Sequence, residues 1–68
     1  MKISARNVLE GRVKEIKTGP VNSQVVVDIG GHAITSMITT DAVNDLALEE
    51  GKAVRVIIKA SEVLLGVD

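Results

Sequence analysis

The sequence contains no cysteine, so disulfide bridges and thiolate metal centres are excluded outright. It has no Phe, Tyr or Trp and a single histidine, His32. One imidazole cannot build a nitrogen-rich transition-metal site. Without aromatic rings there is no platform on which the bases of a single strand could stack. An excess of one charge is missing too: eight Lys and Arg stand against nine Asp and Glu, a formal net charge of −1. A nucleic-acid surface normally carries a clear basic excess. No apolar run approaches the roughly 20 residues that span a bilayer. The opening Met1-Lys2-Ile3-Ser4-Ala5-Arg6 does not lead into an apolar signal segment. The expectation is a cytoplasmic protein with neither nucleic acid nor membrane as a partner.

What is present is apolar and aliphatic. The chain has 68 residues, read as one domain over residues 1–68, and a domain of this size buries only about 60% of its unfolded surface. Yet 46% of its residues are hydrophobic and the mean hydropathy is +0.29. Val, Ile, Leu, Ala and Met must form the whole core, and there are more of them than one small core can hide. Burial between subunits resolves the excess, so a homo-oligomer is expected.

The periodicity is mostly two. In residues 7–16, Leu9, Gly11 and Val13 alternate with Glu10, Arg12 and Lys14, the pattern of a half-buried strand. Gly11 inside it predicts a bulge or a tight barrel bend. A loop follows through Gly19-Pro20-Val21-Asn22-Ser23. A second strand spans residues 24–29, with Val25, Val27 and Ile29 in register, and Gly30-Gly31 suits a two-residue hairpin turn. A third strand occupies residues 32–39. The period then changes: Ala42, Val43, Leu46 and Ala47 share a helical face, with Thr39 or Thr40 as N-cap, Asp41 at the positive end of the dipole and Gly51 as the terminating glycine. Residues 53–59 form a fourth strand, residues 60–62 a helical turn, and residues 63–67 a short fifth strand. The predicted fold is all-β: a small, OB-like, five-stranded barrel with one short helix between strands 3 and 4.

Catalytic groups are scarce. His32 follows the hairpin turn and reads as a surface or interface residue. Asp41 and Asp45, four apart on the helix, read as a solvated helix start more readily than as an acid–base pair. No GxGxxG, P-loop or HExxH pattern occurs. The protein is not expected to be an enzyme, to carry a cofactor or to ligate a metal cation directly.

Two segments stand apart from ordinary packing. Ser4-Ala5-Arg6-Asn7 precedes the first strand, and Lys59-Ala60-Ser61 ends an apolar one. Each offers a cation, a hydroxyl and small residues that leave backbone N–H groups accessible. A buried oxyanion needs such a shell, made of donors and compensating charge with no acceptor pointing inward. On residue types alone both segments also fit plain strand ends with Arg6 and Lys59 solvated.

SARN near the start, the following GRV, the loop KTGPVNSQV and KASEVLLG near the end closely resemble the Mop family of molybdate-binding proteins, the molbindins, over essentially the whole chain. That resemblance implies OB-like barrels assembled as hexamers, trimers of dimers, that bind molybdate or tungstate at subunit interfaces. It further implies one kind of site built from Ser4, Ala5, Arg6 and Asn7 of one chain with Lys59, Ala60 and Ser61 of a neighbour. A second kind would use Gly19, Pro20, Val21 and Asn22 near a symmetry axis. The function expected is reversible oxyanion binding for molybdenum storage or homeostasis. The competing expectation, from a different class, is an oligomeric interaction or regulatory module that docks a protein partner.

Overall fold

Alternating apolar residues set the first strand, and one irregularity in it shapes the sheet. The computed structural model describes residues 1–68. Strand β1 (Asn7–Lys17) is the longest. Val13 is buried and Ile16 packs against the same core, although three residues apart they would fall on opposite faces of a regular strand. A bulge between Val13 and Glu15 resets the alternation and turns Ile16 inward. The first half of β1 pairs with β4 (Ala53–Ile58), from Asn7↔Ile58 to Arg12↔Ala53. Its second half pairs with β2 (Asn22–Asp28), from Arg12↔Asp28 to Lys17↔Gln24. Strand β3 (Ala33–Thr39) flanks β2, giving the antiparallel order β3-β2-β1-β4.

The expected glycine effect at position 11 takes a different form. The bulge lies beyond it, and Gly11 sits where the two ladders converge on β1. A Cβ there would stand 2.5 Å from the carbonyl oxygen of Asp28 and 2.8 Å from Val27 Cγ1. The close approach of two backbones excludes any side chain.

The Gly30-Gly31 turn forms as its composition predicts, with φ of +84° and +97°. The Ile29 N–H donates to the His32 carbonyl at 2.8 Å, which leaves His32 in the turn rather than in β3. Helix α1 (Thr40–Asp45) follows β3 directly. Thr39 is the N-cap, its hydroxyl accepting from the Ala42 N–H at 3.0 Å.

The helix ends earlier than expected, and Gly51 does not terminate it. Leu46 is the C-cap and Ala47 takes the left-handed position with φ +50°. Leu48 N–H donates to Val43 C=O, and Ala47 N–H to Asn44 C=O, both at 3.0 Å. That pair of bonds is a Schellman motif, whose accompanying apolar contact joins the residues at its two ends. Here it is met by Leu48, which packs against the core cluster containing Val43. The inward residue is thus Leu48, while Leu46 and Ala47, assigned above to the buried face, are exposed. Lys52 Nζ donates to the Leu46 and Ala47 carbonyls at 2.7 and 3.1 Å, placing a cation at the negative end of the helix.

Four strands form, and the fifth does not. After β4 come the 3₁₀ turn Ala60–Glu62 and an irregular tail with Leu64, Leu65 and Val67 at 91–100% exposure. A strand exists only where a neighbouring edge offers its hydrogen bonds, and these residues meet no edge of their own chain. The curled sheet is accordingly a half-barrel. Val13, Val25, Val27, Val43 and Ser23 are its only buried residues.

Candidate functional site

The β1–β4 ladder fixes the geometry at one end of the sheet. Because the strands are antiparallel and Asn7 lies opposite Ile58, Ser4-Ala5-Arg6-Asn7 enters the ladder where Lys59-Ala60-Ser61 leaves it. The Asn7 side-chain amide ties the two, its Nδ2 donating to the Ile58 carbonyl at 3.3 Å. Ala5 and Asn7 are half-buried, while Ser4, Arg6, Lys59, Ala60 and Ser61 are exposed.

The donors at this corner are uncommitted. The single ion pair of the structure, Lys17 with Glu15 at 3.8 Å, lies elsewhere, so Arg6 and Lys59 have no carboxylate partner. The 3₁₀ turn uses the N–H groups of Glu62 and Val63, which donate to Lys59 and Ala60 carbonyls at 2.9 and 3.3 Å. Those of Ala60 and Ser61 lie outside these bonds. Two cations, two hydroxyls and an amide with an N–H to spare thus share one corner without a carboxylate among them. Such a set suits a tetrahedral oxyanion, whose oxygens only accept.

The loop at residues 19–22 lies at the other end of β1, roughly 33 Å away along the strand, so one chain does not join it to the first corner. Its polar groups are committed to one another. Thr40 Oγ1 donates to the Gly19 carbonyl at 2.6 Å, Ser23 Oγ lies 2.7 Å from Thr40 Oγ1, and Gly19 N–H donates to Ser23 Oγ at 3.4 Å. A carbonyl only accepts, so the Thr40 proton points to Gly19 and the Ser23 proton to Thr40. The Thr40 backbone N–H adds a bond to the Val21 carbonyl at 2.8 Å. Gly19 is required here, since a Cβ would overlap the Asn22 carbonyl. Pro20, Val21 and Asn22 remain exposed at the tip.

Comparison with known proteins decides the family. The TOBE domain model matches residues 3–65. The chain is 49% identical to the probable molybdenum-pterin-binding protein of Haemophilus influenzae, over the full length of both. The chain belongs to the Mop family. Two solved structures agree with the Mop assignment. A molybdate-binding protein from Sporomusa ovata superposes with a TM-score of 0.93 at 43% identity, over 98% of this chain and all of that one. ModG, a cytoplasmic molybdate-binding protein solved with molybdate bound, gives 0.95 at 49% identity, over all of this chain and 49% of its own. The half-barrel is therefore the OB-like Mop fold.

Sequence reasoning missed the ring of Ser23, Thr40 and Gly19 that holds the second loop. One signal was available: Thr39-Thr40 offers two candidate caps where a helix uses one, which leaves the other hydroxyl for a different task. His32 is exposed, and no group of three or more His, Cys, Asp or Glu is placed to hold a metal ion. No helix is long and apolar enough to cross a membrane.

Proposed function

We propose that this protein binds molybdate reversibly, and tungstate by the same chemistry, serving molybdenum storage or homeostasis in the cytoplasm without catalysis. The observation that carries this reading is the corner where Arg6, Lys59, Ser4 and Ser61 present side-chain donors that no group of the chain engages, beside an Asn7 amide that donates once, to Ile58, and has a second N–H to spare. The Mop relatives supply the identity of the oxyanion. Arg6 and Lys59 offset the dianion's charge, and the hydroxyls, the Asn7 amide and nearby backbone N–H groups replace the water it loses.

The shell is completed between subunits. An isologous contact at this end of the sheet sets two such corners face to face and creates two equivalent sites. Each takes Ser4, Ala5, Arg6 and Asn7 from one copy and Lys59, Ala60 and Ser61 from the other. Closure excludes water, which strengthens the charged hydrogen bonds. The loop of Gly19, Pro20, Val21 and Asn22, held open at its tip by the Ser23–Thr40 ring, forms a second kind of site where copies meet around a symmetry axis. The assembly is a hexamer, a trimer of dimers of a single-domain chain.

Isothermal titration tests the reading. Saturable binding of molybdate and tungstate is expected, with sulfate and phosphate far weaker. Absence of molybdate binding, or equal binding of sulfate, overturns it.

A further inference from the structure

The outward face of the β1–β4 ladder carries charge and apolar surface that neither the core nor the donor corner uses. Val54 and Val56 pack against the core, so Ala53, Arg55 and Ile57 belong to the opposite face. Across the ladder Glu10 stands opposite Arg55, and Arg12 opposite Ala53; directly opposed residues share a face. The connection from α1 to β4 borders this face with Leu46 and Lys52, leaving an open depression of about 790 Å³.

The depression is cationic, in a chain whose net charge is −1. Arg12, Lys52 and Arg55 line it against the single carboxylate of Glu10. Glu10 does not neutralise Arg55: the two are opposed in the ladder, yet the one ion pair of the structure is Lys17 with Glu15. Two of the cations are already held in place. Arg12 Nη1 donates to the Gly51 carbonyl at 2.9 Å, and Lys52 Nζ donates to the Leu46 and Ala47 carbonyls at 2.7 and 3.1 Å. Both keep N–H donors to spare, and a side chain fixed beforehand loses less freedom on binding. Beside these cations Met1, Leu46 and Ile57 are 71, 58 and 39% exposed.

Arginine and methionine are enriched where proteins meet, and arginine is a frequent anchor there. A small ligand is enclosed over most of its surface, which an open depression does not offer. A second copy is also a poor occupant. An isologous contact through this face sets one cationic patch against its own image, and like charges across an interface oppose association.

We propose that this face docks a different protein, through a segment in which carboxylates flank one or more apolar side chains. The carboxylates engage Arg12 and Arg55, whose guanidinium forks match them, and the apolar side chains cover Leu46 and Ile57. Nothing in this assignment depends on what the Arg6–Lys59 corner binds.

Photo-crosslinking of the full chain, in the cells that make it, tests the face. With benzoylphenylalanine in place of Leu46, irradiation is expected to give an adduct with one other protein. Mass spectrometry should place the attachment in a segment of net negative charge containing apolar residues. The adduct should disappear with Arg55→Gln, and should not form when the photo-reactive residue replaces His32 instead. Adducts only between copies of this chain, attachment in a neutral or basic segment, or indifference to Arg55→Gln overturns the proposal. A synthetic peptide of the attached segment supplies the quantitative arm. Arg55→Gln is expected to weaken its binding at least about tenfold. Lys17→Gln, the same loss of charge at the far end of β1, should leave it within about twofold. Equal losses in the two variants overturn the proposal. Arg55 takes part in no ion pair of the chain, so the melting temperature of its variant should match that of the unaltered protein.

Discussion

The two ends of β1 handle their polar groups in opposite ways. At the end near Gly19, each hydroxyl is satisfied inside the chain: Thr40 serves Gly19, Ser23 serves Thr40, and the Gly19 amide returns to Ser23. At the end near Asn7, Arg6, Lys59, Ser4 and Ser61 keep their donors for something outside it. Hydrogen bonds of the first kind contribute to fold stability, and donors of the second kind are, in the function proposed above, the ones that contribute to binding. A protein this small separates the two tasks along a single strand.

That separation predicts which property each substitution should damage. The largest effect falls on binding. Removing two charge-assisted donors with Lys59→Ala and Ser61→Ala is expected to cost about 3 kcal/mol or more, roughly 100-fold in molybdate affinity by titration. The melting temperature should hold, and a large fall in it would break the division. Thr40→Val is the converse. It opens the ring around buried Ser23 and is expected to destabilise the protein by about 1–3 kcal/mol in denaturant unfolding, while molybdate affinity at the Arg6–Lys59 corner stays within about twofold.

A smaller effect, of opposite sign, is expected at the helix terminus. Ala47 holds a left-handed conformation (φ +50°) that glycine adopts without a Cβ penalty. Ala47→Gly should therefore stabilise by about 0.5–1 kcal/mol, read as a higher melting temperature. The smallest concerns Glu15→Gln, which removes an exposed 3.8 Å pair with Lys17. A change below about 0.5 kcal/mol is expected, and a larger one would show that β1 carries charge-dependent stability outside both ends.

Much of the fold was legible because alternation is a local signal. β2, β3, β4, the glycine hairpin and the helix N-terminus all follow from neighbours in sequence. The departures came from packing demands that simple alternation and helical period do not encode. The bulge sits past Gly11 because Ile16 must share the core with Val13, and the odd spacing between them is a trace of it in the sequence. The helix stops at Leu46 because Leu48 has to reach Val43, a demand that outweighs the better stop signal at Gly51. Residues 63–67 have a strand's pattern, but a strand also needs an edge, and a pattern does not say whose.

The candidate site was legible in part for the same reason. SARN and KAS stand out as short runs of donors, yet only the Asn7↔Ile58 register sets them side by side. The Ser23–Thr40 bond joins residues far apart in sequence, and no local pattern announces it.

The β1–β4 ladder also has a consequence in time. Its nearest partners in sequence, Arg12 and Ala53, already close a long loop, an entropic cost of roughly 3 kcal/mol that falls on the first contact. Each later pair toward Asn7↔Ile58 adds little loop and forms by zipping. The donor corner lies past the final tooth of that zipper, so it is the last part of the ladder to assemble and the first to fray. An anion bound there, as proposed above, would fasten the loose end, and its release would be the step at which the ladder is freest to open.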